Sequence, residues 1–156
     1  MKNTIVTLSI ILFMTLPIHA QTKESEERIK RASVPTSVLS AFEKSYPKAI
    51  VRGYSREDEG GKTVYEIESR DRGVNRDVSY DSDGNIVSVE ESIQYAELPE
   101  PVRDTISRDY PKGKVIKSER LLKDSTTQFE VVVKSGKHTV ELVYDSEGRS
   151  VSEEKK

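Results

Sequence analysis

Residues 77–91 read DVSYDSDGNIVSVEE. Val78 and Tyr80 alternate with Asp77 and Ser79, Asp81-Ser82-Asp83-Gly84 breaks the run, and Ile86, Val87 and Val89 resume it. Alternation at period two marks a half-buried strand, and Asp, Ser and Gly supply turn conformations and local side-chain hydrogen bonds. The stretch therefore predicts a β-hairpin. Residues 141–155, ELVYDSEGRSVSEEK, carry the same pattern at an offset of 64.

The offset holds without a gap over the rest of the chain. Pro35 matches Pro99, Val38 matches Val102, and Tyr46-Pro47-Lys48 matches Tyr110-Pro111-Lys112. Glu66 matches Glu130, Tyr80-Asp81-Ser82 matches Tyr144-Asp145-Ser146, and Gly84 matches Gly148. In all, 16 of the 59 pairs aligned from Val34 are identical, and they fall at turn formers and alternate apolar positions. That placement is the signature of a duplicated structural unit.

Each unit opens with a helix. Val34, Val38, Ala41, Phe42 and Tyr46 share one face at helical spacing, with Ser33 as the expected cap, Pro35 in the first turn and Pro47 as the stop. In the second unit the stripe is Leu98, Val102, Ile106 and Tyr110. Four strands follow, near 49–56, 63–69, 74–80 and 85–91, joined by connections short enough to force antiparallel neighbours. The predicted fold is α+β: two tandem repeats, each one helix followed by a four-stranded antiparallel sheet, with the helices on one face and the other face open. The expected boundaries are 1–20 for a signal peptide and 21–32 for a charged, disordered or loosely helical lead-in. The repeats are expected over 33–92 and 97–156, with a hinge over Ser92 to Glu97.

A turn at Ser135-Gly136 would pair Phe129 with Leu142 and Val131 with Val140 under the helix. On the open face it would set Glu130 against Glu141, and in the first unit Glu66 against Asp77. Like charges directly opposite are unfavourable in a sheet. Two readings follow: an acidic stripe that meets a basic partner or a cation, or a row neutralised by Arg52, Arg56, Lys117 and Arg120 on adjacent strands. The candidate partner-binding residues are Glu66, Glu68, Asp77, Glu130, Val132, Thr139, Glu141 and Val143.

Catalytic chemistry has little to stand on. Beyond residue 20 the chain has one His, His138, and the chain has no Cys. No Ser has an evident His-Asp set, and no Gly-rich phosphate loop precedes a helix. Asp81-Ser82-Asp83-Gly84-Asn85 superficially resembles a calcium loop, but the EF-hand pattern needs Gly at position six and Glu at twelve, and the second copy puts Arg149 at a ligand position. The reading is a hairpin turn. No catalytic residue, metal or cofactor is expected.

Composition narrows the class further. Ile5 to Ile18 is nearly all apolar behind Lys2, and His19-Ala20 precedes polar Gln21, the layout of a cleavable signal peptide. The run of about 14 residues is short of a spanning helix. Without it, 24 Lys and Arg stand against 27 Asp and Glu, interspersed, which argues against nucleic acid. Export without cysteine suits a periplasmic or secreted domain of a Gram-negative bacterium, with no membrane association after cleavage.

The residues VP-x2-V-x2-AF-x3-YP, YEIE and VSYDSDGNIVSVE, with the second copy LP-x2-V-x3-I-x3-YP, FEVVV and ELVYDSEGRSV, resemble the PepSY-like, or beta-lactamase-inhibitor-like, family. The resemblance covers Val34 to the C-terminus. It implies exported proteins frequent in Bacteroidetes, with a fold similar to the beta-lactamase inhibitor protein, whose concave open face grips a protein. The wider PepSY family is associated with protease propeptides and restraint of peptidases. This chain departs from the inhibitor in having no disulfide and no aromatic-rich open face. The expected function is an exported, non-enzymatic protein-binding module, restraining an envelope or secreted peptidase or lactamase. The alternative is a binder of small cations or ligands through paired carboxylates.

Overall fold

The structure is a computed structural model that describes residues 26–59 and 61–155. The expected signal peptide and residues 21–25 lie outside the described residues. Strand β1 (Glu27–Arg28) precedes helix α1 (Thr36–Ser45), and β2 (Ile50–Glu59), β3 (Lys62–Asp71), β4 (Val74–Tyr80) and β5 (Ile86–Ser92) follow. Helix α2 (Glu100–Asp109) then leads into β6 (Lys114–Lys123), β7 (Thr126–Ser135), β8 (His138–Asp145) and β9 (Ser150–Lys155). All nine strands form one antiparallel sheet in sequence order. In chain order each helix is followed by four strands, but all the strands belong to one sheet, continuous where β5 pairs with β6.

Both helices cover the same face. Val38 and Phe42 of α1 pack with Ile67, Val78, Tyr80 and Val89. Val102 and Ile106 of α2 pack with Phe129, Val131, Val133, Leu142 and Tyr144. Val89 stands opposite Leu122, and Arg120, two residues along, stands opposite Phe129, so the face stays the same across the junction. Each side chain taken out of water contributes about 1.5–3 kcal/mol, and each helix supplies only two or three of them, so neither helix is stable without the sheet.

Ser33 is not the helix cap. It closes a short 3-10 turn, Arg31–Ser33, and Pro35 takes the N-cap position of α1 with no side-chain cap. Pro99 does the same for α2. Proline serves there because the first helical turn has no use for its missing N–H.

The strand register differs from the sequence expectation by two residues. The turns are Arg72-Gly73, between the pair Asp71 and Val74, and Gly136-Lys137, between Ser135 and His138. Gly136 takes φ of 63°, the left-handed conformation that a two-residue hairpin demands at its first position. Val131 therefore faces Leu142, Val133 faces Val140, and Phe129 faces Tyr144. A slip of two keeps every residue on its expected face and changes only its partner.

Within the expected lead-in, Glu27–Arg28 form a strand and Arg31–Ser33 the short 3-10 turn. Glu27 and Arg28 pair with Arg56 and Ser55, and the Ile29 N–H donates to the Tyr54 carbonyl at 2.9 Å. This is the second unit's geometry moved back by 64: Glu91 and Ser92 pair with Arg120 and Glu119, and the Ile93 N–H donates to Ser118 at 3.0 Å. Glu27, Ile29 and Ala32 are identical to Glu91, Ile93 and Ala96. Instead of a hinge, Ser92 ends β5 and Gln94 to Glu97 form a 3-10 turn closed by a capping box.

The DSDG and DSEG turns lock each helix to its sheet. Asp81 Oδ1 accepts from the N–H groups of Asp83 at 3.0 Å and Asn85 at 2.9 Å, and Asp145 Oδ1 accepts from Glu147 and Arg149 at 3.0 Å each. These bonds, that of the Asn85 side chain first, hold the Asp81 carboxyl below the ordinary range. Gly84 and Gly148, at φ of 89° and 76°, lie against the first turns of α1 and α2. A Cβ would sit 2.8 Å from the Ser37 carbonyl oxygen at Gly84, and 2.5 Å from that of Pro101 at Gly148. Gly73, at φ of 92°, meets nothing within 4 Å. Urea melts should separate the two situations. Gly148→Ala is expected to cost about 2–4 kcal/mol, strain plus a helix pushed off its sheet, against about 1–2 kcal/mol for Gly73→Ala, which carries strain alone.

Candidate functional site

Every second residue of the sheet points away from the helices. Glu66, Glu68, Asp77, Glu130, Val132, Thr139, Glu141 and Val143 all lie on this open face, half-buried among their neighbours. Their pairing is not the expected one. Glu66 faces Ser79, and it is Glu68 that faces Asp77; Glu130 faces Val143, and Glu141 faces Val132. The displaced turns are the cause.

The acidic row nevertheless exists, and the continuous sheet brings acidic pairs of the second unit onto the same face. Glu68, Asp77 and Glu90 stand side by side on β3, β4 and β5. Glu119 faces Glu130 across β6 and β7, and Glu141 faces Glu154 across β8 and β9. Glu90 and Glu119 were missed as site residues. Both follow the alternation of their strands, Glu90 beside Asp77 and Glu119 beside Glu130, but their closeness to each other depends on the β5–β6 junction, which no local pattern encodes.

Lys117 and Arg28 answer several of the carboxylates. Lys117 Nζ lies 2.7 Å from Glu119 and 3.2 Å from Glu130. Arg28 Nη2 donates to Glu68 Oε1 at 2.6 Å. Gly53, the partner of Glu68 on β2, makes that reach possible, since a Cβ there would lie 2.9 Å from Arg28 Nη1. Of the four basic residues expected to neutralise the face, only Lys117 does so. Arg56 and Arg120 are on the helix side, bonded to Glu27 at 2.6 Å and Glu91 at 2.5 Å.

The remaining charge is held at a cost. Burial, then Asp77, Glu26, Glu90 and Glu68, pushes the Glu66 carboxyl up to about 7. Burial, then Glu119 and Glu130, raises Glu90 to about 7 in spite of Lys117. Asp77 is raised by burial and by Glu68 and Glu119. The Glu119 and Glu130 carboxylates outweigh the burial of Lys117 and hold its ammonium firmly charged. At the first unit's margin, carboxylate oxygens of Glu26, Glu66 and Glu68 lie within 4.8 Å of one another. His138 is exposed at the start of β8, with Thr139 beside it.

This geometry goes with a recognisable family. The family model described as "Putative beta-lactamase-inhibitor-like, PepSY-like" matches residues 13–88 and again 71–151, and the chain belongs to that family. Three solved structures share the fold. A "putative periplasmic" protein from Bacteroides eggerthii is 16% identical with a TM-score of 0.68, over 78% of this chain and 88% of that one. A DUF2874 family protein from Bacteroides uniformis is 20% identical with a TM-score of 0.67, over 78% and 88%. A BLIP-like protein from Bacteroides fragilis is 23% identical with a TM-score of 0.60, over 78% and 86%. No curated protein matches the chain in sequence. Among the described residues, no helix is long and apolar enough to cross a membrane.

The raised carboxyls set the sign of a pH dependence. Glu66 and Glu90 bind protons more tightly folded than unfolded, so folding gains nothing from ionising them and loses stability as they deprotonate. Below the unfolded carboxyl range, about pH 4.5, the penalty is absent; it grows through about pH 7 and is complete above. The melting temperature should therefore fall between about pH 5 and about pH 8. The double variant Glu66→Gln, Glu90→Gln should flatten that slope and melt higher at the alkaline end.

Proposed function

We propose that the chain is an exported, non-enzymatic binding module whose open sheet face takes a basic surface of a protein partner. The observation that carries this reading is the row Glu68, Asp77 and Glu90, with Glu66, Glu119 and Glu130 around it, on a face that the helices leave clear. A solvated sheet can avoid opposed carboxylates without penalty, and here they are retained and partly dehydrated. A cationic partner would remove the mutual repulsion, so binding draws on strain already present in the free module. Membership of a beta-lactamase-inhibitor-like family supports a protein partner, and an envelope peptidase or lactamase that the module restrains fits it. The likeness to a periplasmic protein supports export.

Two features of the binding are expected. It should tighten as pH rises from about 6 to about 8, when Glu66 and Glu90 ionise, and weaken with salt as screening grows. Pull-down from envelope extract with the mature chain tests both. A variant with Glu66, Asp77, Glu130 and Glu141 all changed to Ala should lose the specific partners. Equal recovery by both proteins would remove the open face from the account.

A second reading rests on Glu26, Glu66 and Glu68, whose oxygens are close enough to share one cation. Arg28 already occupies Glu68, which weighs against it. Calorimetry with calcium and with zinc distinguishes the two: heat and a raised melting temperature that vanish in Glu66→Gln would favour the cation.

A further inference from the structure

The repeat predicts what each end of the sheet would accept. β9 is the second unit's copy of β5, and β2 is the first unit's copy of β6. Since β5 pairs with β6, the backbone of β9 has the form to pair with β2 of a second copy, extending the sheet head to tail. Inside the chain the junction carries compatible side chains: Val89 faces Leu122, Glu90 faces Leu121, and Glu91 faces Arg120.

Moved by 64, the same three pairs become Glu153 opposite Asp58, Glu154 opposite Glu57, and Lys155 opposite Arg56. All three are like-charged. The two positions of β2 that would receive the end of the incoming strand, Ser55 and Arg56, are already taken by Arg28 and Glu27. That short strap is pinned by Arg56 to Glu27 at 2.6 Å, Arg28 to Glu68 at 2.6 Å and Arg31 to Glu43 at 2.9 Å. Exposed edge strands are templates for further pairing, and charges and covering segments are how proteins block them.

We propose that the strap around Glu27 and Arg28, together with Glu153, Glu154 and Lys155 on β9, is a guard against head-to-tail addition of a second copy at β2. The chain's own duplicated junction would otherwise direct that addition. The two halves of the guard act on opposite partners: the strap closes the acceptor edge and the β9 charges disarm the donor edge.

Two variants separate them, each used as the mature chain. One carries Glu153→Arg, Glu154→Arg and Lys155→Glu, giving a matched donor with a closed acceptor. The other lacks residues 26–30, giving an open acceptor with a mismatched donor. Light scattering after gel filtration should find each alone monomeric. Their mixture should form a one-to-one complex that cannot grow, roughly tenfold or more tighter than self-association of either. Combining both changes in one chain should give concentration-dependent oligomers. Circular dichroism and melting of each variant establish that it is folded, and joining the three arginine-glutamate changes to an otherwise intact chain keeps one arm independent of the deletion. The proposal is overturned if the folded variants stay monomeric when mixed, if the deletion alone assembles as readily as the mixture, or if the unaltered chain already oligomerises through β9 and β2.

Discussion

Everything distinctive about this molecule depends on the pairing of β5 with β6. Five residue pairs join two units that could otherwise have been beads on a linker. Backbone bonds alone would not make that join specific. The side chains do so: Val89 stands opposite the exposed Leu122 on the helix side of the sheet, and Glu91 accepts from Arg76 at 2.7 Å and from Arg120 at 2.5 Å, one arginine from each unit. Burial works to raise the Glu91 carboxyl, and its hydrogen bonds with Arg120 and Arg76 outweigh it. Arg76 also stacks 4.5 Å from the Tyr46 ring, tying α1's end to the same cluster. Charge-assisted, partly buried bonds of this kind are among the stronger polar contacts a protein makes.

That join also brings the acidic residues of both units onto one open face. Glu68 and Asp77 come from the first unit, Glu130 from the second, and Glu90 and Glu119 lie on the two strands that meet. Asp77 feels Glu119, and Glu90 feels Glu130, only because the sheet is unbroken. The repulsion on Glu66 arises within the first unit, and the join adds the second unit's carboxylates to Asp77 and Glu90. The helix face tells the opposite story, since each unit has its own apolar cluster and neither borrows from the other.

The sequence disclosed the repeat, the helix-then-strands order and the side on which each residue lies, because periodicity and turn formers are local signals. β4 was bounded correctly at 74–80, where Gly73 and Asp81 frame a clean alternation. Register was less legible: Ser135-Gly136 and Gly136-Lys137 are both reasonable two-residue turns, and only the left-handed φ of Gly136 at the first position decides between them. The strap at Glu27 and Arg28 hid in a run of charges whose composition spoke for disorder. Its pairing follows from identity with Glu91 at the same offset of 64, a match visible in the sequence once the repeat is extended upstream. The cation assignments failed where they assumed that adjacent strands share a face at every position; the irregularities between Val51 and Gly53 and between Val115 and Lys117 change the count.

The strand order carries a kinetic consequence. Each strand of the nine pairs only with its neighbours in the chain. Within each run of four strands the pairings are hairpins and loop-closure entropy is paid in small steps, whereas Glu27 with Arg56 and Glu91 with Arg120, each 29 residues apart, must wait for a helix to fold back between them. Each run can zip from any of its hairpins, or during synthesis as each strand emerges, and the edge of β5 stays open until β6 has followed α2.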